Sequence, residues 1–202
     1  MHKHIDSWKN SEQAFIQQLD RNLSELRGQF PPHWIHFVNY LKNNTIKRVV
    51  DIGCGAGVYC HVSQLMEIDY IGYDYSQHAI GLATRTWGGN FICKNYQEII
   101  SQDIEAGDLI VANALCDVLP NGDECLRHLL QLGSDNLLIQ RINITDSPSF
   151  FTEYNAYGIM TYGFCHNSQQ LSSDIEDNNY EAIYYQLHDD NAFDLEITKC
   201  MN

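Results

Sequence analysis

The sequence predicts a single α/β unit built on a largely parallel sheet with helices on both faces. Three observations lead to this fold class. Short apolar segments alternate with helical patterns through the middle of the chain. Glycines at alternate positions (Gly53, Gly55, Gly57) follow the first of these segments directly. Two strand-like segments at the end of the chain suit an antiparallel hairpin that closes one edge of the sheet.

The first 45 residues have the apolar spacing of two helices. The first helix places four apolar side chains on one face: Phe15, Leu19, Leu23 and Leu26. Gly28 is suited to end this helix, and the prolines at 31 and 32 are suited to begin the next. The second helix carries Trp34, Phe37, Val38 and Leu41 on one side. We expect a helical cap over 1–45 and the sheet domain over 46–202, both within one globular unit.

The middle of the chain predicts five parallel strands. They are 46–52, 68–74, 90–94, 107–113 and 135–142. Helices are predicted over 58–66, from Ser76 onward with that residue as N-cap, and over 122–132. The final hairpin is predicted over 180–190 and 191–200, with a tight Asp-Asp-Asn turn. The segment 147–167 is dense in aromatic residues and has no clear period.

Composition excludes several function classes. The net charge is −14 with only 12 Lys and Arg among 202 residues, which disfavours a nucleic-acid substrate. No apolar stretch is long enough to span a membrane, and the start of the chain lacks an apolar signal segment. The seven cysteines form no CxxC pair, which favours buried thiols over a disulfide framework or zinc site. We therefore expect a cytoplasmic protein, and the sequence leaves a homodimer open.

The glycine turn predicts a ligand site. Ligands of open parallel sheets bind beyond the carboxyl ends of the strands, where glycines let a ligand approach the backbone and helix amides face it. The dinucleotide fingerprint G-x-G-x-x-G needs glycine at position 58, where this chain has Val58. The spacing is instead G-x-G-x-G, with Asp51 two residues ahead. Binding of NAD remains the runner-up interpretation.

This turn resembles motif I of the class I S-adenosylmethionine-dependent methyltransferases. Similarity to that family continues through 70–76, 90–99, 107–129 and 137–142. The resemblance implies a Rossmann-like methyltransferase sheet in the order 3-2-1-4-5-7-6, with strand seven antiparallel and N-terminal lid helices. It also implies S-adenosylmethionine as cofactor. The acidic net charge and the aromatic segment 147–167 favour a small-molecule acceptor, and we find no signature of a divalent metal site in the sequence.

The resemblance assigns the predicted cofactor contacts residue by residue. Asp74, at the end of the second strand, matches the acid that binds the ribose hydroxyls. Asn95 stands where many members have an acid that contacts adenine. A carboxylate at Asp51 would favour the cationic end of the cofactor, although a strand-end carboxylate that only caps local amides is the alternative. The complete predicted set is Asp51, Gly53, Cys54, Gly55, Gly57, Asp74, Tyr75, Asn95, Tyr96 and Asn113.

The acceptor side has weaker signals, because methyl transfer depends mainly on orientation. The Asn-Pro-Pro-aromatic sequence of enzymes that methylate nucleic-acid bases is replaced by 113–116, Asn-Ala-Leu-Cys. We predict that segment 147–167 and the helix carrying Trp34 cover the acceptor. The predicted catalytic residues are His166 as a base, Tyr162 and Asn113. For each, a purely structural role in the core or loop stays open.

Two further interpretations complete the prediction. A catalytically degenerate member of the fold, acting as a binding or scaffold module, is the alternative to an enzyme. Asp189, Asp190 and Asp194 are interpreted as a solvated hairpin turn rather than a cation site. His2 and His4, near the start of the chain, are expected to fray.

Overall fold

A computed structural model describes residues 3–187 and 192–200. The helices within these residues are α1 (Glu12–Arg27), α2 (Pro32–Asn43), α3 (Val58–Leu65), α4 (Gln77–Trp87), α5 (Gly122–Gln131) and α6 (Ser168–Asp177). The strands are β1 (Arg48–Ile52), β2 (Asp69–Asp74), β3 (Asn90–Cys93), β4 (Asp108–Asn113), β5 (Asn136–Thr145), β6 (Phe150–Ala156), β7 (Ile159–Asn167), β8 (Tyr180–Tyr185) and β9 (Ala192–Lys199). Within the described residues, no helix is long and apolar enough to cross a membrane.

The predicted helix signals at Ser76 and Gly28 are confirmed, and Gly88 and Ser11 act at two further helix ends. Ser76 caps α4 by accepting a hydrogen bond from the Ala79 amide, and Gly88 ends that helix in the left-handed conformation. Ser11 caps α1 in the same way through the Ala14 amide, and Gly28 follows its last turn. These ends depend on residues within one turn of the helix, which is why the sequence could predict those at Ser76 and Gly28.

The sheet has the predicted α/β architecture. Strands β3, β2, β1, β4 and β5 lie side by side and parallel, and β9 pairs antiparallel with the other edge of β5 and with β8. The predicted sixth and seventh strands are therefore β8 and β9, and the predicted antiparallel edge is confirmed. The Asp-Asp-Asn turn between them lies outside the described residues.

One feature of the sheet was not predicted. Segment 147–167 forms a β-hairpin, β6 and β7, rather than an irregular lid, so the sheet branches at β5. Asn143 pairs with Ala192 of β9 and with Cys165 of β7, so these two strands lie on opposite edges of β5. β7 thus continues the β5 edge beyond the end of β4. This position places the hairpin over the carboxyl end of the sheet.

The core has one apolar layer on each face of the sheet. One layer contains Trp34 and Phe37 of α2, packed with apolar side chains of α3 and the inner strands. The Trp34 side chain is 1% exposed and packs in this layer. Trp34 also lines a small cavity that reaches Asp51 at the end of β1. The covering of an acceptor by the helix that carries Trp34 stays a prediction.

Candidate active site

The turn after β1 has the backbone conformation that its glycines permit. Gly55 and Gly57 have φ of 52° and 77°, in the left-handed region that side chains disfavour. A Cβ atom on Gly57 would lie 2.8 Å from the Phe91 ring. A Cβ atom on Gly55 would meet the Gln18 amide of α1. The turn therefore requires glycine for both conformation and space, and α1 lies directly against it.

Asp74 connects this turn with the end of β2. Its Oδ2 accepts a 3.0 Å hydrogen bond from the Gly55 amide, and its Oδ1 accepts a 2.9 Å bond from the Ser76 amide. The residue is 7% exposed. Burial raises the pKa of Asp74 to about 6, against the lowering effect of the two amide bonds. The carboxylate therefore lies fixed between the glycine turn and α4, where the sequence predicted it.

Asp51 is more deeply buried, at the end of β1. The Tyr70 hydroxyl donates a 2.8 Å hydrogen bond to its Oδ2. Burial raises the pKa of Asp51 to about 7, the Tyr70 bond lowers it, and the nearby Asp74 charge raises it further. A positively charged group near Asp51 would therefore lower the pKa of this carboxyl group and favour its ionised form.

A cavity of about 480 Å³ opens at the carboxyl ends of the strands. Seven of the predicted cofactor residues lie on its wall: Gly53, Gly55, Asp74, Tyr75, Asn95, Tyr96 and Asn113. A smaller cavity of about 50 Å³ adjoins it and shares Gly53, Asn113 and Arg141 with it. Asp51 and Cys54 line the smaller cavity. Gly57 lies at the N-terminus of α3 instead.

The N-terminal segment and the β6/β7 hairpin form a further part of the cavity wall. Trp8 lines the cavity, and its indole N–H donates a 3.0 Å hydrogen bond to Thr161 of β7. The His4 amide donates a 2.9 Å bond to the Tyr162 hydroxyl, so His4 is anchored rather than frayed. His2 lies outside the described residues. Tyr154 and Tyr157 of the hairpin complete this wall.

Comparison with known proteins identifies this architecture. The family model described as "Methyltransferase domain" matches residues 20–185. The chain belongs to the class I S-adenosylmethionine-dependent methyltransferase family. No curated protein matches it.

Solved methyltransferase structures share the fold at low sequence identity. The plantazolicin methyltransferase, solved with a triazolic desmethylPZN analog and SAH, has a TM-score of 0.62 at 16% identity, over 98% of this chain and 98% of its own. The 1,6-didemethyltoxoflavin-N1-methyltransferase of Burkholderia thailandensis, with its acceptor and S-adenosylhomocysteine bound, has a TM-score of 0.59 at 14% identity, over 94% and 87%. Magnesium protoporphyrin IX methyltransferase of Synechocystis PCC 6803, solved with SAM bound, has a TM-score of 0.61 at 14% identity. The match covers 82% of this chain and 76% of that protein.

Two of the predicted catalytic residues do not line the cavity of this methyltransferase. His166 is fully buried, and its Nδ1 lies 2.7 Å from Oδ1 of Asp123 at the start of α5. Tyr162 is 1% exposed and accepts the bond from His4. Both side chains are buried on β7: His166 lies against α5, and Tyr162 lies against His4 of the N-terminal segment and Phe151 of β6. A histidine at this depth cannot reach an acceptor, so we correct the expectation that His166 is the base.

Asn95 has a local role that the sequence did not predict. Its side-chain carbonyl accepts a 3.1 Å hydrogen bond from the Gln97 amide, and its own amide donates to Glu98. These bonds form a capping box at a short 3₁₀ turn, Tyr96–Glu98. Asn95 thus shapes the cavity wall, while Tyr96 presents a ring to it.

Two wall residues that sequence reasoning missed are Asp117 and Arg141. Asp117 follows Asn113 in the loop after β4, and Arg141 lies within β5. Arg141 follows Gln140, which pairs with Asn113 at the end of β4, so both charged residues lie near the carboxyl end of β4. Charged residues at this edge of the sheet are the signal that could have found them. In the described residues, no group of three or more His, Cys, Asp or Glu side chains is arranged to hold a metal ion.

Proposed function

We propose that this methyltransferase transfers a methyl group from S-adenosylmethionine to a small or medium-sized organic acceptor. The observation that carries this proposal is the continuous cavity of about 480 Å³, which joins the glycine turn and Asp74 to the aromatic hairpin. Its volume is in the range of small-molecule sites. The cofactor, when bound, would supply an electrophilic methyl group on a sulfonium centre.

The residues present fit this cofactor. A buried carboxylate at Asp74 suits a pair of ribose hydroxyls, and Tyr75 and Tyr96 offer rings to a nucleobase. Asp51 in the smaller cavity is suited to the cationic amino-acid end. Gly53 and Gly55 leave the backbone open along the path between these groups.

The acceptor would bind beside the hairpin. Tyr154, Tyr157 and Trp8 provide apolar area with polar tips on that part of the wall. The net charge of −14 disfavours a nucleic-acid acceptor. The neighbours solved with 1,6-didemethyltoxoflavin and with a desmethylPZN analog support a small acceptor by analogy of fold.

A degenerate binding module is the second candidate, favoured by Asn95. Many family members have an acid at this position, and here the side-chain carbonyl is engaged within its own turn. A screen with radiolabelled S-adenosylmethionine and a cell extract distinguishes the two functions. Label in the small-molecule fraction supports the enzyme. Micromolar cofactor binding without label in any fraction supports the module, and label in transfer RNA at a comparable rate contradicts the small acceptor.

A further inference from the structure

Two side-chain oxygens on the cavity wall lack a hydrogen-bond donor. Among the described residues, Oδ1 of Asn113 and Oδ1 of Asp117 are buried and accept no hydrogen bond. Both residues line the larger cavity, Asn113 as the last residue of β4 and Asp117 in the short 3₁₀ turn that follows this strand. A buried acceptor without a donor is costly, and functional sites are where such groups persist. The pair therefore indicates a ligand that brings its own N–H or O–H groups to this wall.

Arg141 adds a cation to the same wall. It lies in the bulge of β5, between the paired residues Ile139 and Ile142, with φ of 61°. Its amide donates a 3.0 Å hydrogen bond to Asp194, and its side chain lines both cavities. Bulges and left-handed non-glycine residues near sites serve to redirect a side chain. Within the described chain, the Arg141 guanidinium forms no ion pair.

We propose that Asp117 receives the proton that the acceptor loses during methylation, so that the acceptor nucleophile is an N–H or O–H group. This proposal rests on the proposed function. The N–H or O–H bond breaks and its proton forms a bond to a carboxylate oxygen of Asp117. The electron pair left on the nucleophile forms the bond to the methyl carbon, and the carbon–sulfur bond breaks with its pair remaining on sulfur. Asn113 accepts a hydrogen bond from the same end of the acceptor.

The charges around Asp117 suit this role. Burial raises the pKa of Asp117 to about 6, and the positive charge of Arg141 acts in the opposite direction. The carboxylate is therefore ionised at neutral pH yet basic enough to accept a proton. Its other titratable neighbours are Tyr154 on β6, Cys165 on β7 and Cys125 on α5. Arg141 is the only cation among these interacting groups in the described structure.

Sinefungin tests the placement of Asp117 without knowledge of the acceptor. This analogue of S-adenosylmethionine carries a primary amine where the cofactor carries its reactive methyl group. If Asp117 faces that position, the wild-type protein binds sinefungin more tightly than S-adenosylhomocysteine. Asp117→Asn should then reduce this preference about tenfold or more, with the affinity for S-adenosylhomocysteine unchanged within about twofold. Asp177→Asn, an exposed change on α6, is the matched control and should keep the wild-type preference.

The calorimetric outcomes separate this inference from the proposed function. If the wild-type protein binds neither ligand, both proposals fail. If it binds both ligands and Asp117→Asn leaves their ratio unchanged, the cofactor assignment stands and the role of Asp117 is wrong. Equal losses of affinity for both ligands would mean that Asp117 only supports the fold, which also overturns the inference.

Transfer of label from radiolabelled cofactor to the small-molecule extract tests the proton transfer itself. Asp117→Asn should slow the transfer at least about 100-fold, and Asp117→Glu should restore part of the rate because it restores a carboxylate. The product should carry its new methyl group on nitrogen or oxygen. A rate within threefold of wild type in Asp117→Asn, or a methyl group on carbon, would overturn the proposal.

Discussion

The imidazole of His36 is hydrogen-bonded to the carboxylate of Asp194, with Nδ1 2.9 Å from Oδ2, although 158 positions separate them in the sequence. The other ring nitrogen of His36 lies 2.7 Å from Glu196. Asp194 also accepts from the amide of Arg141 and from the Gln140 side chain. This buried pair thus connects α2 and β9 with the β5 bulge that presents Arg141 to the cavity.

The pair makes stability depend on pH. Burial lowers the pKa of His36, but the bonds to Asp194 and Glu196 outweigh burial, and the pKa is raised above 6.5. The stabilisation from the charged imidazole is therefore fully present below the unfolded pKa of about 6.5 and is lost as pH rises through the folded value. We expect the free energy of unfolding to decrease from pH 6 to pH 9, measured by urea denaturation.

Asp194 makes the free energy of unfolding depend on pH in the acid range as well. Burial raises its pKa, but the bonds from His36, the Arg141 amide and Gln140 outweigh burial and lower it below 3.8. Its contribution is present above about pH 4 and is lost as pH falls through the folded value. His36→Gln should cost about 3 kcal/mol at pH 6 and remove the decline toward pH 9. His78→Gln, an exposed change on α4, should retain the decline; an unchanged pH profile in His36→Gln would contradict the argument.

Asp74→Ala should weaken cofactor affinity. The change removes a buried carboxylate from the cavity wall, and a charge-assisted hydrogen bond of this kind contributes about 1–3 kcal/mol. Calorimetry with S-adenosylhomocysteine measures the effect, and Asp69→Ala at the exposed start of β2 is the control. Because the pKa of Asp74 is raised to about 6, wild-type affinity should also rise between pH 5 and pH 7. Equal affinities in Asp74→Ala and wild type would exclude the ribose assignment.

A comparison of Gly57→Ala with Gly88→Ala separates the steric from the conformational contribution to the loss of stability. Both glycines have left-handed backbones, with φ of 77° and 68°. A Cβ atom on Gly57 would lie 2.8 Å from Phe91 and 2.9 Å from Ala83, whereas one on Gly88 meets nothing within 4 Å. We expect Gly88→Ala to cost about 1 kcal/mol and Gly57→Ala about 2–4 kcal/mol, as measured by urea denaturation. Similar losses in the two variants would mean that the turn relaxes around the added methyl group.

Tyr154→Ala and Tyr162→Ala should act on different properties. Tyr154 is 41% exposed and lines the cavity, so its removal should reduce acceptor turnover several-fold and leave cofactor affinity within about twofold. Tyr162 is 1% exposed, so its removal should instead lower the free energy of unfolding by about 3–5 kcal/mol. Thermal melting and labelled-methyl transfer on both variants measure the contrast. A large loss of stability in Tyr154→Ala would show that the hairpin wall is part of the core.

The sequence was informative wherever a feature depends on neighbouring residues. The glycine turn, the Ser76 cap and the five parallel strands all follow from patterns shorter than about ten residues, which local sterics and hydrogen bonding dictate. The β6/β7 hairpin escaped prediction because β6 is exposed along nearly its whole length and carries aromatic side chains on both faces. Its residues therefore lack the alternation of polar and apolar side chains that predicts a half-buried strand.

The sequence by itself determined the α/β class, the turn that resembles motif I and the wall position of Asp74. Only the tertiary structure decided which aromatic and titratable residues meet the cavity. In the folded chain, His166 lies buried against Asp123. Asp117, from the loop after β4, and Arg141, from the bulge of β5, lie on the same cavity wall. These outcomes depend on which edge of β5 each strand takes and on the left-handed backbone at Arg141. Pairing between distant segments sets both, and no local pattern encodes such pairing.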